Sequence, residues 1–333
     1  MLPPRIFQRL AGCVIAISVL ASPSFAQSAP QNAYTPTSLA ADPGLPRTSD
    51  GKPDFQGVVW ATNYFPVFEL NPMAPGLTVT KEEGDAFVKT MVGQMMKSPF
   101  FNVDPEAADI IGNTDGLPLV RGERRTRLIV EPASGKLPLT EEGRKAAKAN
   151  TMDGPSDDYE QRPAGERCLV LGGNPPAHAV ISYNRQQFVQ TPGYVVIHSE
   201  NGDEARIIPF ASGYGGASAA SWYGDSIARW EGDTLVIETV RQQKAPHVRG
   251  LLTNFVVNAD ATVIERFTRL SKDELLYQFT VIDPKIYSEA WLAEYSFHAS
   301  SSGMFPSPCH EHNYSLPNIL LAQRVADARP KKK

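Results

Sequence analysis

The chain lacks the signatures of the large enzyme classes. There is no Gly-x-Ser-x-Gly nucleophile elbow, no phosphate loop and no dinucleotide fingerprint. Gly213 to Gly216 (Gly-Tyr-Gly-Gly) lies in a loop with no helix signal behind it, which argues against a nicotinamide or nucleotide enzyme. Basic clusters are scarce. Arg121 to Arg127 and the terminal Lys331-Lys332-Lys333 are all that stand out, so nucleic acid is not an expected partner. Beyond the first residues no segment is apolar enough to cross a membrane. Cysteine is rare, with three in 333 residues.

What is present begins with a targeting pattern. Arg5 and Arg9 form a positive n-region, Leu10 to Leu20 a short apolar run, and Ser24-Phe25-Ala26 a small-residue cleavage site before Gln27. Residues 1–26 are therefore expected to leave as a signal peptide, with the mature chain periplasmic or secreted. The formal charge of −4 becomes −6 once Arg5 and Arg9 are gone. Cys13 leaves too. In an oxidising compartment Cys168 and Cys309 are expected to form a bridge, with a free nucleophilic thiol as the rival reading.

Residues 27–54 are rich in Pro, Ala, Ser and Thr without periodicity and read as an extended or disordered leader. A single β-rich domain should run from 55 to 327, ahead of a basic tail at 328–333. Its first part, 55–167, is helical and loop-rich. Phe55 to Trp60 reads as a first strand. Residues 80–97 read as a helix, with Thr80 and Glu83 as a capping box and Phe87, Met91 and Met95 at helical spacing. A surface helix is expected from Thr140 to Ala149, capped by Thr140. The acids Asp153, Asp157, Asp158 and Glu160 read as a solvated loop.

From Cys168 onward strand patterns dominate: Val180 to Tyr183, Gln187 to Thr191, and Tyr194 to Glu200. Asn201-Gly202 then marks a hairpin into Ala205 to Ile208. A second hairpin, 226–239, turns at Glu231-Gly232-Asp233, with Leu235 and Ile237 on one face and Thr234, Val236 and Glu238 on the other. Leu251 to Val257, Thr262 to Arg269, Leu275 to Ile282 and Ala290 to Ala299 follow, then a short helix near Pro317 to Val325. The turns leave no room for helical crossovers, so the strands must pair antiparallel. The expected fold is mainly β, an antiparallel meander closed into a barrel, with a sandwich or a propeller-like arrangement as alternatives.

Six stretches carry a resemblance: Pro-Asp-Phe-Gln-Gly-Val-Val-Trp at 53–60, Gln190-Thr191-Pro192-Gly193, Trp230 to Val236, Glu265-Arg266-Phe267, Asp283-Pro284 with Tyr287 and Trp291, and Cys309-His310-Glu311-x-Asn313-Tyr314. With these the chain resembles a family of exported bacterial β-rich proteins that brings no settled activity with it. The resemblance implies secretion and a β-rich fold. It also implies glycine where this chain has His312.

Candidate chemistry follows from three groups of residues. His310 and His312, two apart, would share a strand face and offer two ligands to a divalent metal, with His178, His198, His247 or an acid as third ligand; the alternative is one structural hydrogen bond and one exposed ring. Among strand acids, Glu265 shares a face with Val263 and Phe267 while Arg266 lies opposite. A carboxylate among apolar neighbours can serve as a general acid or base, or can hold strands together as an ion pair. Aromatics form the third group. Trp222, Trp230, Tyr277 and Trp291 would either line a cavity for a small molecule or pack the core. Opposite Trp291, residues Glu294, Ser296 and His298 face either solvent or a polar cavity.

The leading expectation is an exported small-molecule enzyme without an organic cofactor, performing a hydrolysis, elimination or isomerisation. Its acid–base groups would be His310, Glu311 and Glu265, with Arg266 and Tyr183 as orienting partners and Trp222, Trp230, Tyr277 and Trp291 as substrate contacts. A non-catalytic binding protein for an apolar or aromatic small molecule is the alternative, and a structural envelope module a third.

Overall fold

Strand patterning dominates the architecture. The computed structural model describes residues 42, 44–97, 114–149, 156–162, 165–170, 175–177, 184–215, 221–243, 255–311 and 313–329. Its strands are β1 (Val59–Thr62), β2 (Thr78–Val79), β3 (Leu119–Val120), β4 (Glu123–Arg125), β5 (Ile129–Glu131), β6 (Asn184–Gln190), β7 (Tyr194–Ser199), β8 (Glu204–Pro209), β9 (Asp225–Glu231), β10 (Thr234–Val240), β11 (Thr262–Arg269), β12 (Glu274–Ile282) and β13 (Trp291–Ser300). Three helices, α1 (Lys81–Met95), α2 (Glu141–Ala149) and α3 (Ser315–Asp327), complete the described elements with a short 3-10 turn. None of the described helices is long and apolar enough to cross a membrane. The expected strand at Val180 to Tyr183 and the leader before residue 42 lie outside the described residues, and Phe255 to Val257 carries no ladder.

The main sheet runs in the order β8-β7-β6-β1-β13-β12-β11-β10-β9, and β5 adds to β13 off this path. Two antiparallel meanders, β6–β8 and β9–β13, are thus stitched together by the N-terminal strand. Trp60 faces Gln186 on one side and Ala299 on the other. Ring contacts show how far the sheet curls. Phe188 of β6 meets Phe267 of β11 at 5.2 Å, across three intervening strands.

The sheet does not close, which corrects the expectation of a barrel. Its edge strands meet at a single parallel bridge, Phe210 to Ala228. The reason is parity. Nine strands alternating in direction leave the two edges running the same way. A ring of antiparallel ladders then has no last rung, and a parallel ladder between successive strands needs a long crossover.

Local chemistry fixes the elements. Gly232, at φ 60°, takes the first central position of the two-residue turn joining Glu231 to Thr234, and Leu235 and Ile237 turn into the core as the alternation predicts. Thr80 and Glu83 form the expected capping box, and Phe87 and Met95 are buried beneath α1. Thr140 Oγ1 accepts from the Gly143 amide at 3.0 Å. A side chain at Gly143 would place its Cβ 2.1 Å from the Ile286 carbonyl oxygen, so only glycine lets α2 lie on that turn.

Gly57, at φ 72°, delays β1 to Val59, while Phe55 and Trp60 are fully buried. The concave face of the sheet holds the aromatic core. A second, smaller core lies between α1 and the three-stranded sheet β2-β4-β3.

Candidate functional site

The concave face brings two of the expected site residues together. Glu265 is fully buried, and its Oε1 accepts from the Tyr277 hydroxyl at 2.8 Å and from Arg206 Nη1 at 3.1 Å. Arg206 Nη2 donates to Oε2 at 2.7 Å and lies 3.5 Å from Ser226 Oγ and Thr239 Oγ1. Both carboxylate oxygens are therefore engaged by a buried guanidinium, in a geometry suited to holding β8 against β11. Burial, with the Glu265 charge beside it, pushes the Tyr277 phenol far above its ordinary range, so it serves as a fixed donor. Its oxygen also accepts from the Ala177 amide, and the Tyr295 hydroxyl donates to the Ala177 carbonyl. Trp291 sits in the same core, packed by Phe68, Phe255, Phe279 and Tyr287.

Arg266 points the other way, as its strand position requires. It pairs with Glu231 at 2.7 Å on the outer face. Cys168 and Cys309 form the expected disulfide, and Asn313 Nδ2 donates to Cys168 Sγ at 3.0 Å. His310 and Glu311 flank the bridge at the surface and are exposed. Among the described residues no hydrogen bond or ion pair joins either of them to buried Glu265. Tyr183, His178, His247 and His312 lie outside the described residues, and His198 is engaged by Asp203 at 2.9 Å. Among the described residues no group of three or more His, Cys, Asp or Glu side chains is placed to hold a metal ion.

Trp222 and Trp230 belong to two different structures. Trp222 packs beside Val170 with Arg167 over its ring at 5.8 Å, next to the disulfide. Trp230 packs against Phe55 and Phe210 under Lys52. Around it three of the resemblance stretches interlock. Gln190 Oε1 accepts from the Phe55 amide at 2.7 Å, the Gln190 amide donates to Gln56 Oε1 at 3.0 Å, and Arg47 pairs with Asp233 at 2.8 Å. These residues latch the segment from Arg47 to Gln56, the end of the expected leader included, onto the end of the sheet.

A further concavity lies on the outer face, where His298 was expected to meet either solvent or a polar cavity. It is a cleft of about 570 Å³, within the range of small-molecule sites. Its floor is a row across three strands: Arg185 of β6 and His298 of β13 both pair in register with Ala61 of β1. Leu117, Leu119, Arg124 and Asp115 form the opposite wall, and Ser300 to Ser302 the rim. Arg185 is held by Glu200 at 2.7 Å. His298 Nε2 lies 3.0 Å from the Leu119 carbonyl oxygen, so Nε2 carries the proton and a neutral ring keeps Nδ1 as acceptor.

Thr62 and Tyr64 also contribute to the lining, but their hydroxyls turn away from it: Thr62 shares a strand face with core Trp60, Tyr64 packs on Tyr295, and both oxygens are buried with no hydrogen-bond partner among the described residues. Burial pushes the Tyr64 phenol well above its usual range.

His298 was legible in advance, as an outward residue opposite Trp291 that could face a polar cavity. Arg206 also carried a signal, since it shares a strand face with Ile208. Thr62, Tyr64, Asp115 and Arg124 carried none, because the fold joins segments far apart in the chain. The chain matches no family model, and neither a curated protein nor a solved structure shows significant similarity to it.

Proposed function

We propose that this protein is an exported binding protein for a small molecule and that the outer-face cleft is its ligand site. The observation that carries the reading is a cleft of about 570 Å³, of small-molecule size, that collects Arg124, Arg185 and His298. The concave face supports binding less well, because its aromatics pack on one another and the buried Glu265 carboxylate is paired on both oxygens. Export agrees with the leader pattern and with the disulfide.

The test is native mass spectrometry of the mature protein purified from a periplasm without reductant, beside the variant Ala61→Trp. Ala61 is a half-buried floor residue, and indole there would fill the cleft without entering the core. A co-purifying mass present on the wild type and missing from a folded Ala61→Trp is the expected result. The same mass retained on the variant would overturn the reading.

A second reading, an acid–base enzyme at this cleft, is favoured by His298, whose Nδ1 is left as the acceptor. It needs no organic cofactor. His298→Gln would then abolish turnover of a bound compound while leaving its affinity within a few-fold; loss of affinity alone would return the histidine to a binding role. A divalent metal held by His310 and His312 is the least supported alternative, and adding Zn²⁺ or Mn²⁺ to the chelator-treated protein in the same spectra tests it.

A further inference from the structure

Among the described residues the charges around the cleft do not cancel. Four charged side chains bear on it: Arg124, Arg185, Asp115 and, behind Arg185, Glu200. Arg185 is neutralised by Glu200 at 2.7 Å. That leaves one cation and one anion. Arg124, half-buried on β4, makes no hydrogen bond or ion pair among the described residues. Asp115 uses its backbone amide, which donates to the Asn63 carbonyl at 2.8 Å, but its carboxylate has no partner among the described residues. The two do not pair with each other, although both line the same cleft. Asp115 is exposed and Arg124 half-buried, so both charges are open to a molecule entering the cleft.

The complement of this arrangement is a molecule with one negative and one positive end. Resting on the cleft as the ligand site, we propose that its ligand is a zwitterion bearing a carboxylate and an ammonium group, of the amino-acid or short-peptide class. The planar guanidinium of Arg124 suits a carboxylate, which it can meet with two parallel N–H donors. The Asp115 carboxylate suits an ammonium, which offers three donors. Leu117, Leu119 and Ala61 line the same cleft and offer apolar contact to the remainder of the ligand. An isolated anion would meet Asp115 unfavourably, and an isolated cation would meet Arg124. Selectivity would come from like-charge repulsion as much as from attraction.

Four matched probes test the proposal: phenylalanine, N-acetylphenylalanine, phenylalaninamide and N-acetylphenylalaninamide. They keep the body constant and remove the positive end, the negative end or both. Binding to the full mature protein is measured by equilibrium dialysis. Its location is read as protection of Arg124 from phenylglyoxal, by peptide mass mapping. Phenylalanine should bind at least about tenfold more tightly than any of the other three and should protect Arg124. Arg124→Gln should erase its advantage over phenylalaninamide, and Asp115→Asn its advantage over N-acetylphenylalanine. Both variants should melt with the wild type, since neither side chain has a partner to lose among the described residues.

Equal binding of a singly charged or neutral probe overturns the zwitterion proposal. If that probe still protects Arg124, the cleft survives as a ligand site of different selectivity. Failure of all four to bind also overturns the proposal, and the cleft reading then stands or falls on the Ala61→Trp experiment.

Discussion

Along β13, Trp291, Ala293, Tyr295 and Phe297 point into the concave core, while Glu294, Ser296 and His298 face outward. The inner row is fully buried among core side chains, with the Tyr295 hydroxyl donating to the Ala177 carbonyl. The outer row changes along its length. Glu294 is sealed by Arg125 at 3.1 Å and Arg121 at 3.5 Å, and Gln278 Nε2 donates to it at 3.0 Å. Ser296 donates to Glu274 at 2.7 Å. His298, at the far end, stands half-exposed in the cleft. One strand therefore presents a finished core on one side and, on the other, a sealed charge cluster that opens into a site. Packing uses up the inner face. The outer face keeps room because the small second sheet covers only part of it.

The comparison is broken most forcefully from the inside. Trp291→Ala should cost about 3–5 kcal/mol, the usual penalty for a large core aromatic, seen as a lower urea midpoint with unchanged slope. Should Trp291→Ala leave stability intact and only remove a ligand, the concave face would be a binding cavity after all. Glu265→Ala should cost a similar amount, about 3–5 kcal/mol, because it strands the buried Arg206 guanidinium. The double variant Glu265→Leu with Arg206→Met should recover much of that loss. Recovery of stability in this double variant, measured by denaturant titration, distinguishes a structural ion pair from a site held for chemistry.

Removing both cysteines as alanine should cost about 2–5 kcal/mol, since the bridge closes a separation of 141 residues and limits the unfolded chain. A reducing thermal melt of the wild type should match the double variant. On the outer face the expected effect is much smaller. Arg124→Gln should shift stability by no more than about 0.5 kcal/mol, the usual range for a surface change that breaks no contact.

The smallest effect is one of pH at the latch. Arg47, through its hydrogen bond, holds the Asp233 carboxyl below its ordinary value, and Glu231, partly desolvated, is lowered on balance by Arg266 and Arg229. A depressed carboxyl stabilises the fold above its unfolded value, near pH 4, and loses that contribution as pH falls through its folded value. Acidification below about pH 4 should therefore loosen the latch, and Arg47→Gln should flatten the acid limb of the melting profile. The pair is solvent-exposed, so added salt should mute the difference.

The elements themselves were largely readable. Alternation placed Leu235 and Ile237 inside, the Thr80–Glu83 box started α1, and Asn201-Gly202 turned β7 into β8, because each of these rests on contacts a few residues apart. The same local rule set Glu265 inside and Arg266 outside, which already made them poor partners for one reaction. Closure of the sheet was not readable. It depends on how many strands join one ladder and where β1 inserts, and local periodicity reports neither. Gathering the motifs into one acid–base set mistook shared rarity for shared location. His310 flanks a surface disulfide, whereas Glu265 lies in the core.

By itself the sequence determined that this is a β-rich chain with a pair of cysteines suited to bridging and no nucleotide or phosphate-loop motif. Those features are written in residue types and short spacings. Only the tertiary structure decided that the aromatic face is filled and that Arg206 neutralises Glu265. Only it brought Thr62, Tyr64, Asp115, Arg124 and His298 to one cleft. A site of that kind is set by strand order and by which backbone covers which face, and no single segment carries that information.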